Sequence, residues 1–281
     1  MPVRRCGEQK VRRPRPNGKG RNGKNMDREI RTILLVDGSA SLLFSIGMLL
    51  KRLEYRVETA RSAEDALRKM EDHLPSIVLT ETALPGMRGS DLLKRIKDDH
   101  LRRSIPVVML TGERDRETQD ACMRLGCAAY LLKPVDPDLL YRTLQAVSET
   151  IPRAHVRLKT SLAVTVGDGT PMGGATRDEL AIAISEGGIY VSTRYPQPQS
   201  ALTPVRIFLP HAEIRARAVV LYSFPNGAGP YLEAGMGMKF VELADADRES
   251  IRQFIREQLT RDIAPTESSG TGPPDWGSVR T

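Results

Sequence analysis

The feature that most restricts what this chain can fold into is a regular alternation over residues 31–150, in which short apolar runs are each followed by a stretch with helical spacing. The runs are Thr32–Val36, Ser76–Thr80, Pro106–Leu110 and Ala128–Leu132, with a weaker one at Tyr55–Thr59. After the first run, Leu42, Leu43, Ile46, Leu49, Leu50 and Leu53 recur with the 3.6-residue period of a helix. Further helices are predicted at Ala63–His73, Asp91–Asp98, Arg116–Gly126 and Pro137–Glu149. Strands that are apolar throughout are buried on both faces, and parallel neighbours need a helical crossover. Five such units predict an α/β doubly wound parallel five-stranded sheet, with ligands and chemistry at the carboxyl ends of its strands.

Beyond Ile151-Pro152 the pattern changes. Alternating segments at Val156–Val166, Glu179–Thr193, Thr203–Leu209, Ile214–Ser223 and Met236–Leu243 are punctuated by Gly, Pro and Asn. Asp245–Leu259 follows as a helix, with Asp245 or Asp247 as its expected cap and Ile251, Phe254, Ile255 and Leu259 on one face. Five or six short strands and one closing helix predict a small antiparallel β-barrel with a C-terminal helix. At 281 residues, both domains have room for a core of their own. The boundaries read as 29–149 and 150–262.

Composition narrows the function classes. The formal charge of +7 is local, because residues 1–25 carry nine Lys and Arg against Glu8, a charge of +8 that leaves −1 for the rest. Residues 1–28 therefore read as a disordered basic arm. The arm either touches anionic surfaces or is a solvated tail ahead of a start at Met26. Residues 263–281, rich in Pro, Gly, Ser and Thr, read as a disordered tail. No helix-turn-helix or aromatic-interleaved basic surface marks the folded parts as a nucleic-acid binder. No apolar run approaches the ~18–20 residues of a membrane span, and the default location is cytoplasmic. Cys6, Cys122 and Cys127 form no CxxC, and the four histidines show no ligand spacing, so no metal site is predicted. Residues 17–25 lack GxxxxGK[ST], and no kinase, cyclase or phosphodiesterase motif is present. The expectation is a non-enzyme with no catalytic residues and no cofactor.

The first domain resembles the response-regulator receiver family. The resemblance rests on Ile33-Leu34-Leu35-Val36-Asp37 ending the first strand, Leu84-Pro85-Gly86-Met87 after the third, Leu110-Thr111 ending the fourth, and Tyr130-Leu131-Leu132-Lys133-Pro134 ending the fifth. In that family, an aspartate four residues before the loop proline takes a phosphoryl group, with Mg²⁺ held by neighbouring acids and a lysine and a hydroxyl binding the phosphoryl oxygens. Here Glu81 stands at that position, and the acidic pair after the first strand is reduced to Asp37-Gly38. The resemblance thus implies a degenerate pocket of Asp37, Glu81, Thr111, Tyr130 and Lys133 in which phosphorylation is not expected. Glu81 either pairs with Lys133 or imitates a phosphorylated state. Tyr130 stands where the family places an aromatic switch, or is ordinary packing.

The second domain resembles the PilZ family, whose signature is RxxxR followed by (D/N)xSxxG. Its counterparts are Arg153-Ala154-His155-Val156-Arg157 and Ala183-Ile184-Ser185-Glu186-Gly187-Gly188. The resemblance implies cyclic di-GMP as ligand, bound by Arg153, Arg157, Ser185 and Gly188. Guanidinium groups can fork onto phosphate or guanine edges and stack on bases. Ala183 replaces the Asp or Asn that would read guanine, which predicts weak binding that an Asp or, more gently, an Asn at 183 would strengthen. Because helix 137–149 runs almost directly into Arg153, ordering of the arginine segment would reorient the first domain. The partners expected are cyclic di-GMP and a signalling protein on the receiver face. The competing expectation is a ligand-independent docking scaffold.

Overall fold

The computed structural model describes residues 31–263 apart from 151, 172, 228 and 229. The basic arm and most of the tail expected from sequence lie outside the described residues. The first domain runs β1 (Thr32–Val36), α1 (Ala40–Arg52), β2 (Arg56–Ala60), α2 (Ala63–Asp72), β3 (Ile77–Thr80), α3 (Gly89–Asp98), β4 (Val107–Thr111), α4 (Arg116–Arg124), β5 (Ala129–Leu132) and α5 (Pro137–Ser148). Its strands pair in the order β2-β1-β3-β4-β5, all parallel. Alternate residues of each strand feed the two faces. Ile33 and Leu35 pack with Leu50 of α1 and Leu140 and Leu144 of α5. Leu34 and Val36 pack with Met70 of α2 and Leu92 and Ile96 of α3. Helix starts are fixed by side chains that accept from exposed backbone N–H groups: Ser39, Ser62, Asp115 and Asp136, the last followed by Pro137.

The second domain runs β6 (Leu158–Val166), β7 (Arg177–Ser185), β8 (Gly188–Ser192), β9 (Leu202–Leu209), β10 (Ala212–Phe224), β11 (Gly235–Leu243) and α6 (Asp245–Thr260). The six strands close as β10-β11-β8-β7-β6-β9, so the barrel has no free edge. The apolar segment at 179–193 is two strands rather than one, a hairpin turning on Glu186-Gly187. The alternation of apolar residues continues across so short a turn, which hides it from a period-2 reading. Gly188 is needed by packing, since a Cβ there would lie 2.1 Å from the Met238 carbonyl oxygen of β11.

The helix α6 differs from expectation at its start. Ala244 is the cap residue and makes no side-chain bond, while Asp245 and Asp247 lie in the first turn. There their charges favour the positive end of the helix dipole. Ile251, Phe254, Ile255 and Leu259 are buried, and α6 packs against α1 and α5 of the first domain as well as β7 and β10 of the barrel. One apolar cluster consequently runs through both domains.

Candidate functional site

Two places gather the residues singled out in the sequence. The first lies at the carboxyl ends of β1 and β3, where the strand order reverses. Lys133 Nζ, in the loop after β5, is 2.5 Å from both Asp37 Oδ2 and Glu81 Oε2. The other Glu81 oxygen accepts from the Thr82 backbone N–H at 2.7 Å and from the Thr82 hydroxyl at 3.0 Å. Burial pushes the Glu81 carboxyl up, but the Lys133 ammonium and the Thr111 and Thr82 hydroxyls outweigh it and hold the group below its ordinary value. Of the two readings open for Glu81, the geometry displays the ion pair.

Thr82 and Glu113 are members that sequence reasoning missed. The Thr82 hydroxyl, whose one proton is shared with Glu81, also lies 2.7 Å from the Thr111 hydroxyl and 2.9 Å from Glu113 Oε2. Tyr130 donates its hydroxyl to the Glu113 carbonyl at 3.0 Å. Burial, followed by the nearby Glu113 charge, pushes the Tyr130 phenol up to about 12. The adjacency of Thr82 to Glu81 and of Glu113 to Thr111 was the available signal. Among the described residues, no three His, Cys, Asp or Glu side chains converge as a metal site.

The second place is a cleft of about 1380 Å³ between the two domains. Arg153, Arg157, Lys159 and Arg261 line it from the barrel side, and Arg31, Lys51, Arg52 and Arg56 from the first domain, against only Glu54 and Glu233. The segment before β6 alternates in what it touches. Arg153 and Arg157 face the cleft, Val156 is buried, and His155 Nδ1 lies 4.0 Å from Glu186 at the hairpin turn. A buried chain ties this segment to the first domain: Gln145 Nε2 donates to the Tyr55 hydroxyl at 2.9 Å, and Gln145 Oε1 accepts from Arg153 N–H at 3.3 Å. Lys159 pairs across the gap with Glu54 at 3.1 Å.

Ser185 and Gly188 are not among the cleft's lining residues. Ser185 Oγ donates to the Gly188 carbonyl at 3.1 Å, closing the hairpin, so this half of the motif organises the turn beside the arginine segment. Ala183 is 4% exposed and is likewise outside the lining, which Ile182 enters at a bulge in the β7–β8 pairing. An Asn at 183 would meet a buried site, contrary to the restoration expected from sequence. Tyr231, which sequence reasoning missed, also lines the cleft and packs on Tyr190 with ring centroids 4.7 Å apart. Its loop position before β11 carries no periodic signal.

Comparison with known proteins finds a family for each domain. The model of the response regulator receiver domain matches residues 33–145, and that of the PilZ domain matches residues 151–257. The phosphate regulon transcriptional regulatory protein PhoB of Pseudomonas aeruginosa is 32% identical over 42% of this chain, and the match spans 51% of that relative. The two-component response regulator ORR3 of Oryza sativa subsp. indica is 34% identical over 41% of this chain and 88% of its own length. A putative response regulator from Chloroflexus aurantiacus, solved by crystallography, is 29% identical over 42% of this chain and 98% of that one, with a TM-score of 0.41.

Proposed function

Since the chain belongs to the response regulator receiver family and carries a PilZ domain directly behind the receiver, we propose that it is a bacterial cyclic di-GMP effector whose receiver is not phosphorylated and serves instead as a docking face for a signalling partner. The observation that carries this reading is the basic cleft into which Arg153 and Arg157 converge. Cyclic di-GMP offers two phosphodiester anions and two guanines, and a cleft of this volume is ample for it. Guanidinium groups meet the anions by charge-assisted hydrogen bonds, and Tyr231 presents a ring for stacking.

The receiver pocket supports the second half of the reading. Its donor set does not fit the magnesium ion that the family uses. Gly38 supplies no ligand beside Asp37, and a Cβ added there would lie 3.0 Å from the Pro85 ring. Lys133 already bridges both remaining carboxylates, so one oxygen of each is engaged. The extra methylene of Glu81 also moves its oxygens by about one C–C bond, on the scale at which misplacement costs ~100-fold in rate.

Calorimetric titration of the full chain with cyclic di-GMP tests the reading. Wild type binds, and Arg153→Ala and Arg157→Ala each weaken binding about tenfold or more, as expected for loss of a charge-assisted hydrogen bond worth ~1.5–3 kcal/mol. The buried Ala183 and the occupied Ser185 favour a second reading, in which the barrel is a docking scaffold. No binding at high micromolar dinucleotide would make that the better account.

A further inference from the structure

The cleft has two walls, and the arginine motif belongs to only one of them. The opposite wall is the end of α1 and the start of β2, where Lys51 and Arg56 are exposed. Their neighbours are committed. Arg52 donates to backbone carbonyls of α6, and Lys159 is paired with Glu54. Neither Lys51, Arg56, Arg153 nor Arg157 forms a side-chain ion pair among the described residues. Unneutralised cations on the two walls of one cleft repel, and a dianion between them removes that repulsion.

We propose that the receiver forms the second half of the ligand site, with Lys51 and Arg56 binding one phosphodiester of cyclic di-GMP while Arg153 and Arg157 hold the rest of the dinucleotide, which thereby bridges the domains. The proposal rests on the dinucleotide reading above and extends it to residues outside the barrel. The spacing of the walls is set before any ligand arrives. The Tyr55–Gln145–Arg153 chain fixes the arginine segment to the receiver core, and the Lys159–Glu54 pair spans the gap. A site held open in this way avoids the ordering cost of assembling two mobile halves.

The test titrates the full chain with cyclic di-GMP at one salt concentration, comparing wild type, the Lys51→Ala/Arg56→Ala double variant, the Lys51→Glu/Arg56→Glu double variant and Arg116→Ala. Arg116 is an exposed cation on α4, outside the cleft lining, and controls for net charge. The alanine pair is expected to lose at least tenfold in affinity and the glutamate pair all detectable binding, while Arg116→Ala stays within twofold of wild type. Lys51 and Arg56 are exposed, so melting temperatures should not change. If wild type binds and the alanine pair binds within twofold of it, the receiver wall takes no part and the barrel alone holds the ligand. An equal loss in Arg116→Ala would reduce the effect to net charge and overturn the proposal. If wild type does not bind, the dinucleotide reading fails and this proposal fails with it.

Discussion

On the function proposed above, Glu81 and Gly38 stand one methylene and one carboxylate away from a working phosphoacceptor pocket, and both are open to repair. Wild type is expected to gain no mass from acetyl phosphate and Mg²⁺. The double variant Gly38→Asp/Glu81→Asp is expected to gain one phosphoryl group, read by intact mass, provided the Pro85 ring yields the few tenths of an ångström that the new Cβ demands. A phosphoryl group on wild type, absent from Glu81→Gln, would overturn the assignment. Ala183 makes the opposite case, because its site is closed. Ala183→Asn buries an amide at a cost of about 1–3 kcal/mol if it finds no partner. The expected outcome is a melting temperature lower by several degrees with no tighter dinucleotide binding. Unchanged melting together with tighter binding would show that the side chain reaches the ligand. At this scale, sequence order supplied the identities of Asp37, Glu81, Thr111, Tyr130 and Lys133, since the loop and strand-end motifs are local. It did not supply Thr82 or Glu113, whose roles depend on where two strands end relative to each other.

Among the elements, α6 is anchored by side chains and backbone from elsewhere in the chain. Glu186, at the β7–β8 turn, accepts from Arg252 at 2.8 Å, and the Glu186 backbone carbonyl accepts from Arg248 at 2.9 Å. Burial pushes the Glu186 carboxyl up, but Arg252 outweighs it and holds the group below its ordinary value of 4.5. A carboxyl with a depressed folded pKa stabilises above its unfolded pKa, and the contribution is lost as pH falls through the folded value. Glu186→Gln is therefore expected to destabilise at pH 7 and to narrow its gap from wild type on acidification below about pH 4.5, followed by urea melts across pH. A gap that stays constant with pH would remove the charge from the explanation. The strands and helices were readable to within a few residues, because burial on both faces or on one stripe leaves a direct periodic trace. The β7–β8 turn and the α6 cap were not, the first because two residues cannot interrupt a two-residue period, the second because either acid could have filled the cap and neither does.

The two domains share part of a core, since the apolar cluster containing Leu50 and Leu144 also contains Phe254 and Leu259. One calorimetric transition is expected, and Leu259→Ala, which empties a site only 1% exposed, should move all of it down by the ~2–5 kcal/mol of a large core cavity. Two resolved transitions, with only one displaced, would mean the domains melt apart. None of this was legible beforehand. The sequence placed a boundary near residue 150, and no spacing rule links the end of α1 to a helix about two hundred residues later. That link is Arg52, whose guanidinium donates to the carbonyls of Gln258 at 3.2 Å and Leu259 at 2.9 Å, and also to that of Arg261. The last turn of α6 is thus closed by a side chain from another domain. Exchange of parts is restricted accordingly: a substitute receiver grafted onto this barrel would have to carry a long cation at the corresponding end of its first helix, or leave those carbonyls open to water.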